Sequence, residues 1–397
     1  MAAPAATAAP QQAPASSRAD VTPASVVPFR RGSGKGRYPF NTISGLTLTT
    51  TTQDLGPIDI KAYDYMRSIG ILVETTAFGA TAGTTQPDGP FNLFTNVAVK
   101  QPNGQTMYQV SSGYHAAMIH KYGVARRNCD PRGGPNFLYA AGSGAVAANF
   151  FLRIPFELDL RDALGALPNK DAAAPFTLEL TLNTLANVFG AATTPTFKIT
   201  PLLEAYDQPP ATLNGEQVQT EPPNKNTLQR WTEQNITMSQ GAFDARVRKL
   251  GNYVRCLIPI MKNSSNVRQA SGYTAQGATV TGWADPVQIV LDEDVKDNIR
   301  IPQWFNDIEE VWGYGETVPS SAGTNAQPSF DSANGLDTGV YPYQYFQDQR
   351  SIAEDVDAYL PTIESEDYLF RGGNWGANCS KMVVLVGEVL PAGDIFS

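Results

Sequence analysis

A chain of 397 residues exceeds the length at which one hydrophobic core usually stops growing, so two domains are expected. Charged residues make up only 17%, against 34 glycines and 29 prolines, which excludes a Glu/Lys/Leu-rich helical bundle and favours many strands joined by turns and long loops. The net charge of −9 excludes non-specific nucleic-acid binding by the body of the chain, because phosphate contacts need Lys and Arg.

Residues 1–40 open with Ala, Pro, Gln and Ser and close on FRRGSGKGRYPF. The prolines block helix, and such a composition buries too little surface to order itself, so a mobile or neighbour-ordered N-terminal arm is expected over 1–40. The arm holds five basic residues and one acid, about +4, which leaves about −13 on the body. Arg30, Arg31, Lys35 and Arg37 are therefore its candidate contacts to neighbouring copies or to a membrane. No apolar leader segment is evident at the N-terminus, and no run of 18 apolar residues occurs.

Strand signals begin at Ile43, where Leu46 and Leu48 alternate with threonines, and continue at Ile58 and Ile60. Ser68–Thr76 reads as a buried strand. Leu93–Lys100 and Thr106–Val110 flank Pro102-Asn103-Gly104, a hairpin signal. Ser111–Tyr122 fits one short helix. Residues 147–184 carry the clearest pattern: a strand closing in Ile154-Pro155, a helix-like turn over Asp159–Leu167, and an alternating strand from Phe176 to Leu182. A strand over 196–206 completes a first sandwich at 41–206. Residues 207–235 hold two Pro-Pro pairs and no apolar period, and read as a linker or crossing segment. The second sandwich, 236–397, has strands at Ile236–Met238, Tyr253–Met261, Val287–Leu291, Ala358–Ile363 and Lys381–Leu390. It also has a short helix at Pro302–Trp312, a polar loop at 264–279 and a long loop at 313–339. The layout is all-β, two jelly-roll sandwiches with short helices and long loops.

Catalytic chemistry is scarce. Cys129, Cys256 and Cys379 are far apart, lack metal spacing and read as free thiols. His115 and His120 lie about 500° apart around a helix, so they share no face and read as packing groups. Gly32-Ser33-Gly34-Lys35-Gly36 lacks the Walker spacing, since Phe29 stands at the first glycine position and Gly36 follows Lys35. Asp292-Glu293-Asp294 with Asp297, and Glu309-Glu310, read as solvated acids without calcium-loop spacing. Trp231, Trp304, Trp312, Tyr314, Trp375 and the run Tyr341-Tyr343-Tyr345-Phe346 read as core or subunit interface. No catalytic residue, cofactor or metal is expected. Two alternatives remain: a phage spike or carbohydrate-binding sandwich using those aromatics, and a β-sandwich glycoside hydrolase using acids such as Glu309.

The segments FFLRIPFELDLRDALGALPNK, FTLELTLNT and FKITPLLEAYDQ, with the closing KMVVLVGEVLP, resemble double jelly-roll major capsid proteins of the tectivirus type, from membrane-containing bacteriophages. The resemblance implies two eight-stranded jelly rolls side by side. It implies a homotrimer of pseudo-hexagonal outline, and trimers that tile an icosahedral virion shell over an internal membrane. The implied partners are the chain itself, neighbouring trimers, penton and minor capsid proteins, and the internal viral membrane. The implied place is the capsid shell, after synthesis in the host cytoplasm. Relatives can carry a helical segment near the membrane, whereas this N-terminus is Ala/Pro-rich.

Overall fold

A computed structural model describes residues 26–86, 88–124, 126–190, 194–223, 227–247, 251–269, 283–314, 337, 339–346, 356–363, 365, 367–376 and 379–390. The first half contains strands β1 (Lys35–Pro39), β2 (Ile43–Thr47), β3 (Gln53–Asp59), β4 (Tyr65–Ala77), β5 (Phe94–Lys100) and β6 (Thr106–Val110). Helix α1 (Gly113–Tyr122) follows, then β7 (Ala147–Pro155), β8 (Thr177–Leu182) and β9 (Thr196–Tyr206). One sheet has the order β1–β9–β4–β7, with β2 also on β9; the other runs β3–β8–β5–β6. Alternation decides which side chains meet between them. Ile69, Ile71 and Val73 point in from β4, and Leu178, Leu180 and Leu182 from β8, all fully buried.

The second half repeats the arrangement. It contains β10 (Leu228–Thr237), β11 (Gly241–Val247), β12 (Tyr253–Lys262), β13 (Val287–Leu291), β14 (Asp294–Ile299), helix α2 (Ile301–Trp312), β15 (Tyr368–Trp375) and β16 (Lys381–Leu390). The order β12–β16–β10 forms one sheet and β11–β15–β13–β14 the other. Strands β10 and β6 meet in parallel at Trp231 and Tyr108, so one nine-stranded sheet runs through both halves.

Several expectations are corrected. Asp159–Leu167 is a turn closed by an Asp159–Leu164 bridge, not a helix; Ala163 and Gly165 are left-handed at φ 70° and 83°, which ends any helical run. Strand β10 starts at Leu228, inside the expected linker, and its buried positions include Gln229, which masked the apolar period. Strands β11 and β15 escaped notice. Gly372-Gly373 interrupts the side-chain alternation of β15, and the Phe243 ring lies 2.5 Å from where a Cβ of Gly372 would stand. The Asp292-Glu293 acids are exposed, as expected, and form the hairpin turn between β13 and β14, both left-handed at φ 49° and 70°. Of Ala358–Ile363 only Leu360–Pro361 pairs as strand. Residues 1–25, 270–279 and 315–336 of the expected arm and loops lie outside the described residues.

Trp231 is wedged at the junction of the halves, and a Cβ on Gly387 of β16 would stand 2.7 Å from its ring. Gly387→Ala is therefore expected to destabilise the chain by about 1–3 kcal/mol, read from the denaturant midpoint. An unchanged midpoint would mean the indole moves aside freely.

Candidate functional site

The basic stretch predicted as a free arm is, from Val27 onward, built into the first half. Val27 bonds to the backbone of Gln217 and Gln219, and a single helical turn, Phe29–Gly32, follows. Phe29 is buried among Tyr65, Ala163, Ala166 and Tyr206, edge-on to both tyrosine rings at 5.1 and 6.0 Å. Strand β1 then pairs antiparallel with β9. Phe29, Tyr38 and Phe40 are apolar anchors, and the Ala/Pro composition upstream obscures them. Arg37 Nε donates to Glu204 Oε1 at 3.0 Å, and the Arg30 guanidinium lies over the Tyr206 ring at 5.1 Å. Arg31 and Lys35 are exposed.

The second feature is the seam between the halves, and α1 carries it. Ser112 caps its N-terminus, accepting from Tyr114 N, and all ten helical residues are buried. At its C-terminal end Lys121, fully buried, donates to Asp337 Oδ2 at 2.5 Å and pairs with Asp130 at 2.8 Å. Asp337 also accepts from Tyr122 Oη at 2.6 Å and from Arg132 at 2.7 Å. At the other end His115 links Glu233 of β10, 2.8 Å from Nδ1, to Lys262 of β12, 3.0 Å from Nε2. Asp88 accepts from Arg268 at 2.5 Å and lies 3.6 Å from Lys262. Apart from Lys121–Asp130, the pairs of this seam join residues more than a hundred positions apart, so no local motif announces them.

Lys262 can only donate, so His115 Nε2 accepts and Nδ1 carries the proton it gives to Glu233. The imidazole is therefore neutral. Burial and then the Lys262 charge push its pKa down, against the pull of Glu233. His120, packed edge-on to Phe151, is pushed down to about 3 by burial and by Arg153. Burial would raise Asp337 and Asp88, yet Arg132 and Lys121, and Arg268 and Lys262, override it and hold both carboxyls below their ordinary values.

The other motifs bring no chemistry together. Trp231, Trp304, Trp312, Tyr314, Trp375, Tyr341 and Phe346 are buried, so they form core rather than a sugar platform. Glu309 is exposed on α2. Asp307, near Asp297 and Glu310, has a carboxyl pushed up to about 6 by burial and by those two charges. Among the described residues no cluster of three His, Cys, Asp or Glu suits a metal, and no helix is long and apolar enough to cross a membrane. Gly32–Gly36 runs into strand β1 and is not a phosphate loop. The three cysteines are free thiols, and burial pushes Cys379 up to about 11.

No family model matches the chain, and no curated protein matches it in sequence. Solved structures match it along nearly its whole length. The structure of Sulfolobus turreted icosahedral virus aligns at TM-score 0.57 and 14% identity, over 91% of this chain and 92% of that one. The major capsid protein of the same virus aligns at 0.55 and 13%, over 90% and 97%. The PBCV-1 virus capsid aligns at 0.53 and 12%, over 90% and 93%. The fold is a double jelly roll. Helix α1 with its buried charges is the bolt between the two jelly rolls.

Two outcomes follow for the double jelly roll. Asp337→Asn leaves Lys121 and Arg132 short of a buried counter-charge, and is expected to cost about 3–5 kcal/mol in denaturant unfolding. The histidines set the pH response. Folded His115 and His120 resist protonation while the unfolded chain accepts it near pH 6.5, so stability is present above that pH and lost as pH falls. The depressed carboxyls of Asp88 and Asp337 add a further loss of the same sign below about pH 4. His120→Phe should flatten the fall between pH 6.5 and 4 by about 1.4 kcal/mol per pH unit, measured by melts across pH. A slope equal to the wild type would show that His120 protonates without unfolding.

Proposed function

We propose that the chain is a major capsid protein, a structural subunit without enzymatic activity. The observation that carries this is the end-to-end match to the structures of viral capsid components, each covered to at least 92% of its own length. A protein whose two halves are both jelly rolls, joined by a buried charged seam, has the build of a rigid tile. The narrower likeness to the tectivirus type rests on the sequence segments at 147–206 and 381–391.

On this reading residues 41–206 and 236–397 are the two jelly rolls, with 207–235 crossing between them. The strand at 35–39 attaches to the first and the strand from Leu228 to the second. Three copies supply six jelly rolls, enough for a pseudo-hexagonal trimer on a six-neighbour lattice. The partners are the chain itself, neighbouring trimers, penton and minor capsid proteins, and an internal membrane. Arg30, Arg31, Lys35 and Arg37 are the proposed contacts to neighbours or membrane. The working place is the virion shell, after synthesis in the host cytoplasm. Direct nucleic-acid binding is not part of this reading, because the body is acidic.

Light scattering on the purified chain tests it. A stable species at three times 42.8 kDa is expected, and particles should follow on concentration. A monomer at every concentration overturns the capsid reading.

A further inference from the structure

Around the Tyr206 ring the fold gathers more positive charge than it neutralises. Arg30 and Arg67 each place the guanidinium carbon 5.1 Å from the ring centroid. Lys35 is the register partner of Tyr206 across β1 and β9. Arg126, in the loop after α1, is half-buried and within electrostatic reach of Glu157 as well as of Lys35, Arg67 and Arg153.

The carboxylates nearby are already engaged. Glu157 accepts from Arg67 at 2.7 and 3.0 Å and from the Tyr206 hydroxyl. Glu204 accepts from Ser68 at 2.5 Å, and from Arg37 and Arg153 at 3.0 Å. Asp207 accepts from Tyr63 at 2.8 Å. In contrast, the side chains of Arg30, Lys35 and Arg126 make no hydrogen bond or ion pair with a described residue. Arg30 Nε is buried with no acceptor, a state that folded proteins rarely leave unmet. Partial burial, then the charges of Arg30 and Arg67, push the Lys35 ammonium below its ordinary value, and the opposing pull of Glu157 does not restore it.

We propose that Arg30, Lys35 and Arg126 form an oxyanion site for a phosphate group, on the end of the first jelly roll where β1 meets β9. Guanidinium and ammonium groups are the side chains that recognise phosphate oxygens, and Tyr206 holds the Arg30 guanidinium in place over its ring while Lys35 stands across from it on β1. The phosphate can come from a soluble ion or from a lipid headgroup. The site is a property of the single chain and does not depend on assembly.

The test titrates inorganic phosphate into the full chain at constant ionic strength, following the melting temperature. Sedimentation with phosphatidylglycerol vesicles, and with phosphatidylcholine vesicles as control, forms the second arm. A saturable rise in melting temperature is expected, and Arg30→Gln with Arg126→Gln should weaken it about tenfold, near 1.4 kcal/mol. Vesicle binding lost in the same variant assigns the phosphate to a headgroup. Phosphate binding without vesicle binding assigns it to a soluble ion. Should the double variant fail to fold, the exposed Lys35→Gln is expected to show the same direction of loss. No saturable rise, or a rise that these variants leave intact, overturns the proposal. A monomer that still binds phosphate would overturn the trimer and leave this site standing.

Discussion

A buried lysine fixes how the two halves of this molecule sit. Lys121 has no exposed surface, and its charge is met by Asp130 from the first half and Asp337 from the second. An ion pair taken out of water is stable only where geometry and extra hydrogen bonds are complete. Tyr122 and Arg132 complete them. An apolar seam tolerates sliding, because one methyl is much like the next. A seam of buried charges has one register, since a shift of an ångström or two strands a cation. Helix α1 supplies this register at both ends, through Lys121 at one and His115 at the other.

The sheet at the junction follows from the same constraint. Strands β6 and β10 meet through one parallel pair, Trp231 with Tyr108, too few backbone bonds to hold two jelly rolls alone. The indole fills the space left by Gly387, and Arg255, buried in β12, donates to the Gly123 carbonyl at the end of α1. Packing, helix cap and sheet converge on the residues next to Lys121. Close-packed sandwiches deform little, so their relative placement is decided at this junction.

Much of this was legible in the sequence where one face of a strand is apolar. Thr177–Leu182 and Lys381–Leu390 show that pattern, and α1 and α2 stood out as helices. Strands were lost where glycine or a buried polar residue interrupts the apolar pattern, as at Gly372 and Gln229. The seam was not legible. His115 and Lys121 are ordinary polar residues of a short helix until Glu233 and Asp337, more than a hundred positions away, arrive beside them. The basic residues were visible as a cluster, but their attachment depends on Phe29, whose pocket is assembled from Tyr65, Ala163, Ala166 and Tyr206.

The charge of the molecule is divided in a way that bears on self-association. Copies with a net charge of −9 repel one another at long range, and salt screens that repulsion beyond about 8 Å. Closer in, distribution matters more than the sum. The unmatched cations Arg30, Lys35 and Arg126 belong to the first jelly roll, while the exposed hairpin acids Asp292, Glu293 and Asp294 belong to the second. The sum of −9 therefore says little about the end of the first jelly roll, where Lys35 on β1 lies across from Tyr206 on β9 and the Arg30 guanidinium sits over that ring.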